Sequence, residues 1–280
     1  MSTTPTVAPS HVPPARSALR YELRNVDGRH LLAADPPGGA RIVEALGEVA
    51  TADHVAVLVP GAGHDQRSYL GDDGPESLRG RGERVLRSMQ ALTSSSAVAV
   101  AVVVWVGYHT PSDLAAATSN LPAHEGAPDL ARLTHYLPRT AHVTLIGHSY
   151  GSTVSGLALS TACAADCVAL GSPGMGVWRR EELGCDTRLW AAQGPSDWIR
   201  FVPRTKLGTL GLGRTPLHPA LGARRFATGD VAGHSGYFTP GSESLHNIAR
   251  IAVGLHDEVT PIRAAAASRP RARHAEVLTA

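Results

Sequence analysis

The sequence predicts an α/β fold, with a mostly parallel central sheet and helices on both faces. Three observations carry this. Apolar, β-branched segments alternate with helix-length segments along the chain. Several of the former are apolar at successive positions, as strands buried on both faces require. Glycine-rich breaks such as Pro60-Gly61-Ala62-Gly63 punctuate them.

In chain order, residues 20–49 carry turn signals at Asp27-Gly28 and Pro37-Gly38-Gly39, which predicts antiparallel edge strands. HVAVLVPGAG (54–63) reads as a buried strand running into a loop. LRGRGERVLRSMQAL (78–92) has helical apolar spacing at Leu78, Val85, Leu86, Met89 and Leu92. A strand follows at 97–108, then a helix in APDLARLTHYL (127–137), with Asp129 near its start. Next come a strand at 143–147 and a small-residue helix at about 152–162. Strands are expected in CVALGSPG (167–174), TRLWAAQGPSD (187–197) and RRFATGD (224–230). An amphipathic helix closes the domain at 242–255, with Leu245, Ile248, Ala249, Ala252 and Leu255 on one face.

The chain of 280 residues is 43% hydrophobic with a formal net charge of +2. That balance gives no basis for nucleic-acid or anionic-membrane binding. The N-terminal segment is rich in Pro, Ser and Thr and lacks the apolar core of a secretory signal. The longest apolar run, 97–108, falls short of the ~18 residues that suggest a membrane span. Cys163, Cys167 and Cys185 are too few for a disulfide framework and read as reduced thiols of a cytoplasmic protein. One domain is expected over 19–263, between disordered tails at 1–18 and 264–280.

Gly147-His148-Ser149-Tyr150-Gly151 fits G-x-S-x-G. The pattern alone is short, but here it ends a strand and opens a helix, the setting of a nucleophile elbow. Flanking glycines suit a strained turn whose neighbours crowd it. In α/β-hydrolases the acid and the base follow the serine in that chain order, each after a later strand. Asp197 lies just past the strand at 187–193, whereas Asp166 and Asp186 precede their strands. His234 lies between the last strand and the last helix. His246 and His256 fall within and at the end of that helix, and His148 is expected to point away from the partner of Ser149. The oxyanion would be bound by the N–H groups of Tyr150 and Ala62.

The segments ATADHVAVLVPGAG, VVVWVGYHTPSDL, VTLIGHSYGSTVSGLAL, VALGSPGMGV and HSGYFTPGSESLHNIARIAVG together resemble an actinobacterial family of α/β-hydrolases whose domain has no assigned function. The resemblance spans roughly residues 50–254. It implies an α/β-hydrolase fold with Ser149 as nucleophile, and it supports Asp197 and His234 as partners. Many relatives carry a long helical segment before this domain, and 198–222 looks more divergent than the rest.

The short connection at 175–186 predicts a small lid or none. Tyr108, Met175, Trp178, Trp198, Phe201, Tyr237 and Phe238 are candidate apolar contacts for substrate. The expected activity is hydrolysis of a small or medium apolar ester by a Ser-Asp-His triad. The alternatives are an acyltransferase or thioesterase on the same triad, or a non-catalytic binding protein. No cofactor or metal is expected: H-E-x-x-H is missing, and GTLGLG lies in the divergent loop rather than after a strand.

Overall fold

The computed structural model describes residues 17–74, 76–184, 186–201 and 211–262. Most of both expected tails, Cys185 and residues 202–210 of the divergent loop lie outside the described residues. The described strands are β1 (Arg24–Val26), β2 (Arg29–Ala34), β3 (Ile42–Leu46), β4 (His54–Val59) and β5 (Val100–Val106), followed by β6 (His142–His148), β7 (Asp166–Leu170), β8 (Arg188–Ala192) and β9 (Arg224–Arg225). They form one sheet in the order β1-β2-β3-β5-β4-β6-β7-β8-β9. The first three strands and β5 pair antiparallel, as the turn signals at 27–28 and 37–39 predict. From β5 to β9 every pairing is parallel.

The successive apolar residues of β4 serve both faces of the sheet. Val55, Val57 and Val59 join a core with Leu130, Leu133, Val154 and Ala158. Ala56 and Leu58 join the opposite core with Val85, Met89, Ile248 and Ile251. The first core is capped by α3 (Leu121–Tyr136) and α4 (Gly151–Ala158), the second by α2 (Leu78–Thr93) and α5 (Glu243–Ala252). Each fully buried Val, Leu or Ile contributes about 1.5–3 kcal/mol to this packing.

Four expectations change. A short helix, α1 (Gln66–Gly71), follows β4; Asp65 accepts from Ser68 N–H and Ser68 Oγ accepts from Asp65 N–H, a reciprocal cap. Helix α3 starts six residues before Ala127 and carries Pro128 inside it. Asp129 therefore does not cap that helix. It is buried and accepts the N–H of Leu19 at 3.1 Å, which fastens the N-terminal segment. The strand expected at 224–230 shortens to Arg224–Arg225, because Phe226 turns to an isolated antiparallel bridge with Pro261.

Between β7 and β8 the described chain carries a single 3-10 turn, Arg180–Leu183. No described helix is long and apolar enough to cross a membrane. Cys163 is exposed and Cys167 buried, both as free thiols.

Candidate active site

Because β4, β6, β7 and β8 are parallel, the loops at their C-terminal ends gather on one edge of the sheet. Ser149 lies between the end of β6 and the start of α4, with φ 54°. Only Asp27 shares a positive φ among the described non-glycine residues. Such a conformation costs roughly 1–2 kcal/mol and persists only where the surroundings enforce it. Here the Ser149 N–H donates to Leu170 O at 2.9 Å, pinning the turn to the end of β7. A Cβ at Gly151 would come within 2.1 Å of Val59 O, so the turn closes only with glycine there.

Tyr150 occupies the N-cap of α4. N–H groups in the first turn have no intrahelical acceptor, and the helix dipole favours negative charge there. The Tyr150 hydroxyl points elsewhere, donating to Ser119 O at 2.6 Å and accepting from Ala123 N–H at 3.2 Å. A Cβ on Gly61 would come within 2.9 Å of Ser149 Cβ and 3.2 Å of its Oγ. The loop after β4, with half-buried Ala62, thus runs beside the serine hydroxyl.

Asp197 follows β8 and is fully buried. Its Oδ1 accepts from His234 Nδ1 at 2.8 Å and from Ile199 N–H at 2.9 Å. Its Oδ2 accepts from the Tyr237 hydroxyl at 2.5 Å. Burial by itself raises the pKa of this carboxyl, but the bonds from His234, Tyr237 and Ile199 outweigh it and hold Asp197 below the usual carboxylate range. With Nδ1–H directed at Asp197, the His234 lone pair falls on Nε2. That nitrogen is buried and has no hydrogen-bond partner among the described residues. Gly171 lies under the pair: a Cβ there would sit 2.6 Å from Asp197 Oδ2 and 3.1 Å from His234 Nδ1. Since Gly171 follows Leu170, which holds the Ser149 N–H, one short piece of backbone connects serine, acid and base.

His148 departs from expectation. Instead of pointing away, its Nε2 donates to the backbone carbonyl of His234 at 2.7 Å, with the two rings 4.9 Å apart. Burial, then the neighbouring His234, pushes its pKa down to about 3, so it stays neutral and positions the His234 backbone.

The candidate apolar contacts divide. Tyr108 and Met175 are packed in the core, and Tyr108 donates to Pro60 O at 2.8 Å. Tyr237 and Phe238 are likewise buried, with Tyr237 serving Asp197. Trp178 is half-buried with Arg214 over its ring at 5.7 Å. Trp198 stands 4.8 Å from the His234 ring, and Phe201 is 78% exposed. Sequence reading missed the polar role of Tyr237; the H-S-G-Y spacing, three residues from His234, was its only signal.

At the opposite edge of the sheet, His142, Asp166 and His256 bring ligand-type atoms within 4.8 Å of one another. The Asp166 carboxylate is already held by Arg188 Nε at 2.9 Å and Trp190 Nε1 at 2.8 Å. Distance along the sheet separates this cluster from Ser149.

The uncharacterized protein Rv2079 of Mycobacterium tuberculosis is 30% identical over 277 residues, which cover 85% of this chain and 41% of that protein. The chain therefore spans less than half the length of that relative. The uncharacterized protein Mb0988c of Mycobacterium bovis is 32% identical over 179 residues, covering 60% of this chain and 66% of its own. Among solved structures, the chain is similar to a putative esterase from Staphylococcus aureus, with TM-score 0.47, 9% identity and coverage of 92% and 89%. It is also similar to XC6422 from Xanthomonas campestris, an a/b serine hydrolase without lid, with TM-score 0.42, 15% identity and coverage of 83% and 97%. A model of the alpha/beta hydrolase family matches residues 35–207, and the protein belongs to that family.

Proposed function

We propose that the protein is a serine hydrolase that cleaves a small or medium apolar carboxylic ester through an acyl-enzyme. The observation that carries this reading is His234: its Nδ1 is tied to buried Asp197, its Nε2 is unpartnered, and Gly171 beneath it follows the residue that holds the N–H of Ser149, a serine on a strained turn. In this reading Ser149 Oγ attacks the ester carbonyl carbon. The Oγ–C bond forms as the serine proton passes to His234 Nε2. The carbonyl π electrons move to oxygen, where the N–H groups of Tyr150 and Ala62 donate; each such donor is worth roughly 10²–10³ in rate. The C–O bond to the alcohol then breaks, and the leaving alkoxide takes the proton from Nε2. Water repeats the sequence on the acyl-enzyme, releasing the acid and restoring Ser149. Asp197 keeps the imidazole in the useful tautomer and stabilises its cation.

The test is labelling with a fluorophosphonate probe, followed by turnover of p-nitrophenyl esters of increasing chain length. Covalent labelling that disappears in Ser149→Ala is expected, with short and medium esters turned over best. Equal labelling of folded Ser149→Ala protein would reject the nucleophile.

A further inference from the structure

A cleft of about 600 Å³ opens beside the loop that follows β4. It begins at Gly63 and His64 and extends along α1 to the first turn of α2, where Arg81 lines it. Gly63 is two residues past Gly61, which abuts Ser149, so at most about 7 Å of backbone separates the mouth of the cleft from the residue that touches the serine. The cleft volume falls in the range of small-molecule sites, roughly 300–1,000 Å³.

Among the described residues no acid is in salt-bridge contact with Arg81, and Glu76 and Asp72 attract it only at longer range. Its Nε is buried without a hydrogen-bond partner, and among the described residues its side chain makes no hydrogen bond or ion pair. The acids of the cleft make their direct bonds elsewhere. Asp65 caps α1 through Ser68 N–H at 2.7 Å, Asp72 accepts from Gly74 N–H at 2.9 Å, and Glu76 pairs with Arg84. Arg67, the other cation on the lining, is exposed. The His64 backbone is fixed at both ends by Thr110 Oγ1, which accepts from its N–H at 3.1 Å and donates to its carbonyl at 2.6 Å. Burial, then Arg81, pushes the His64 ring down to about 4, which leaves it neutral near pH 7. A permanently charged fork of donors in a partly desolvated cleft is suited to a planar or tetrahedral oxyanion.

We infer that this cleft receives an oxyanion group carried by the substrate, a carboxylate or a phosphate, with Arg81 as its counter-ion. The inference rests on Ser149 as the nucleophile, because it places the anion on the same molecule as the ester that is cleaved. The substrate class is then an ester with a negatively charged group a few bonds from the scissile carbonyl.

Two measurements test it. The first compares monomethyl adipate with methyl hexanoate, esters of matched length that differ in the terminal carboxylate, by methanol release. The ratio of kcat/KM for charged over neutral ester is expected to fall at least about tenfold in Arg81→Gln, and Arg81→Lys should restore part of it. A ratio unchanged by Arg81→Gln overturns the proposal. The second is calorimetric titration of Ser149→Ala protein with adipate and with inorganic phosphate, which separates the two anions and needs no catalysis. Binding of one of them, lost in the Ser149→Ala, Arg81→Gln double variant, is expected. Absence of binding by both, or binding that survives the Arg81 change, overturns it. Loss of Ser149 labelling alongside Arg81-dependent anion binding would instead remove the proposed reaction and leave the anion site.

Discussion

At Tyr237 one hydroxyl joins two parts of the site: it donates to Asp197 Oδ2 at 2.5 Å and accepts from Gly194 N–H at 2.9 Å. A hydrogen bond to a charged group is worth about 1.5–3 kcal/mol. If that bond serves to orient Asp197, Tyr237→Phe should lower kcat by roughly 10- to 100-fold with KM little changed. A rise in KM at constant kcat would reject the positioning role. Asp197→Asn reverses the donor pattern seen by His234 Nδ1 and favours the wrong tautomer. The expected loss in kcat is about 10⁴-fold, read from steady-state ester hydrolysis. Retention of more than a tenth of wild-type activity would show that Asp197 is not the acid.

At the scale of elements, the turn from β6 to α4 is held by close backbone approach. Gly151→Ala would drive a methyl group to within 2.1 Å of Val59 O, a backbone atom of β4 that cannot swing aside. Overpacking of this kind costs about 1–3 kcal/mol or more, so Tm should drop by several degrees in calorimetry. An unchanged Tm would mean that the turn is looser than its geometry implies. Gly171→Ala makes a different prediction, because the atoms it meets are Asp197 Oδ2 and the His234 ring rather than structural backbone. Activity should fall by about 100-fold or more, a larger effect than the roughly 1–2 kcal/mol of stability lost to its φ of +51°.

Over the whole molecule, the two edges of the sheet divide the work. The C-terminal edge holds the candidate triad; the other holds buried Asp166 among His142, His256, Arg188 and Trp190. Burial raises the Asp166 pKa, but contacts with His142, Arg188 and Trp190 overcome it and hold the carboxyl well below the usual range. A carboxyl lowered in the folded state stabilises the fold above its unfolded pKa of about 3.9. That contribution is lost as pH falls through the lower folded value. Asp166→Asn should therefore cost about 3 kcal/mol at pH 7 and flatten the acid limb of stability below about pH 4, by urea titration across pH. Ester turnover per folded molecule should stay the same, since the cluster lies across the sheet from Ser149. Equal pH slopes for both proteins would exclude Asp166 as a source of acid sensitivity.

The strand cores, the helix-facing stripes and the chain order of Ser149, Asp197 and His234 were legible in the sequence. Each depends on local periodicity or on the rule that parallel strands share one active edge. Helix α1 was also legible in principle, through the Asp65-x-x-Ser68 cap. Partner choice across the molecule was not. Large side chains such as Tyr108, Met175 and Tyr237 look alike in sequence whether they pack, line a pocket or support a polar network. Only the folded backbone placed Tyr237 on an aspartate 40 positions away, His148 on the His234 carbonyl, and Arg81 in a cleft with its Nε unpartnered. The physical reason is range: periodicity and turn chemistry act over a few residues, whereas burial and hydrogen bonding are settled by which surfaces the tertiary fold brings together.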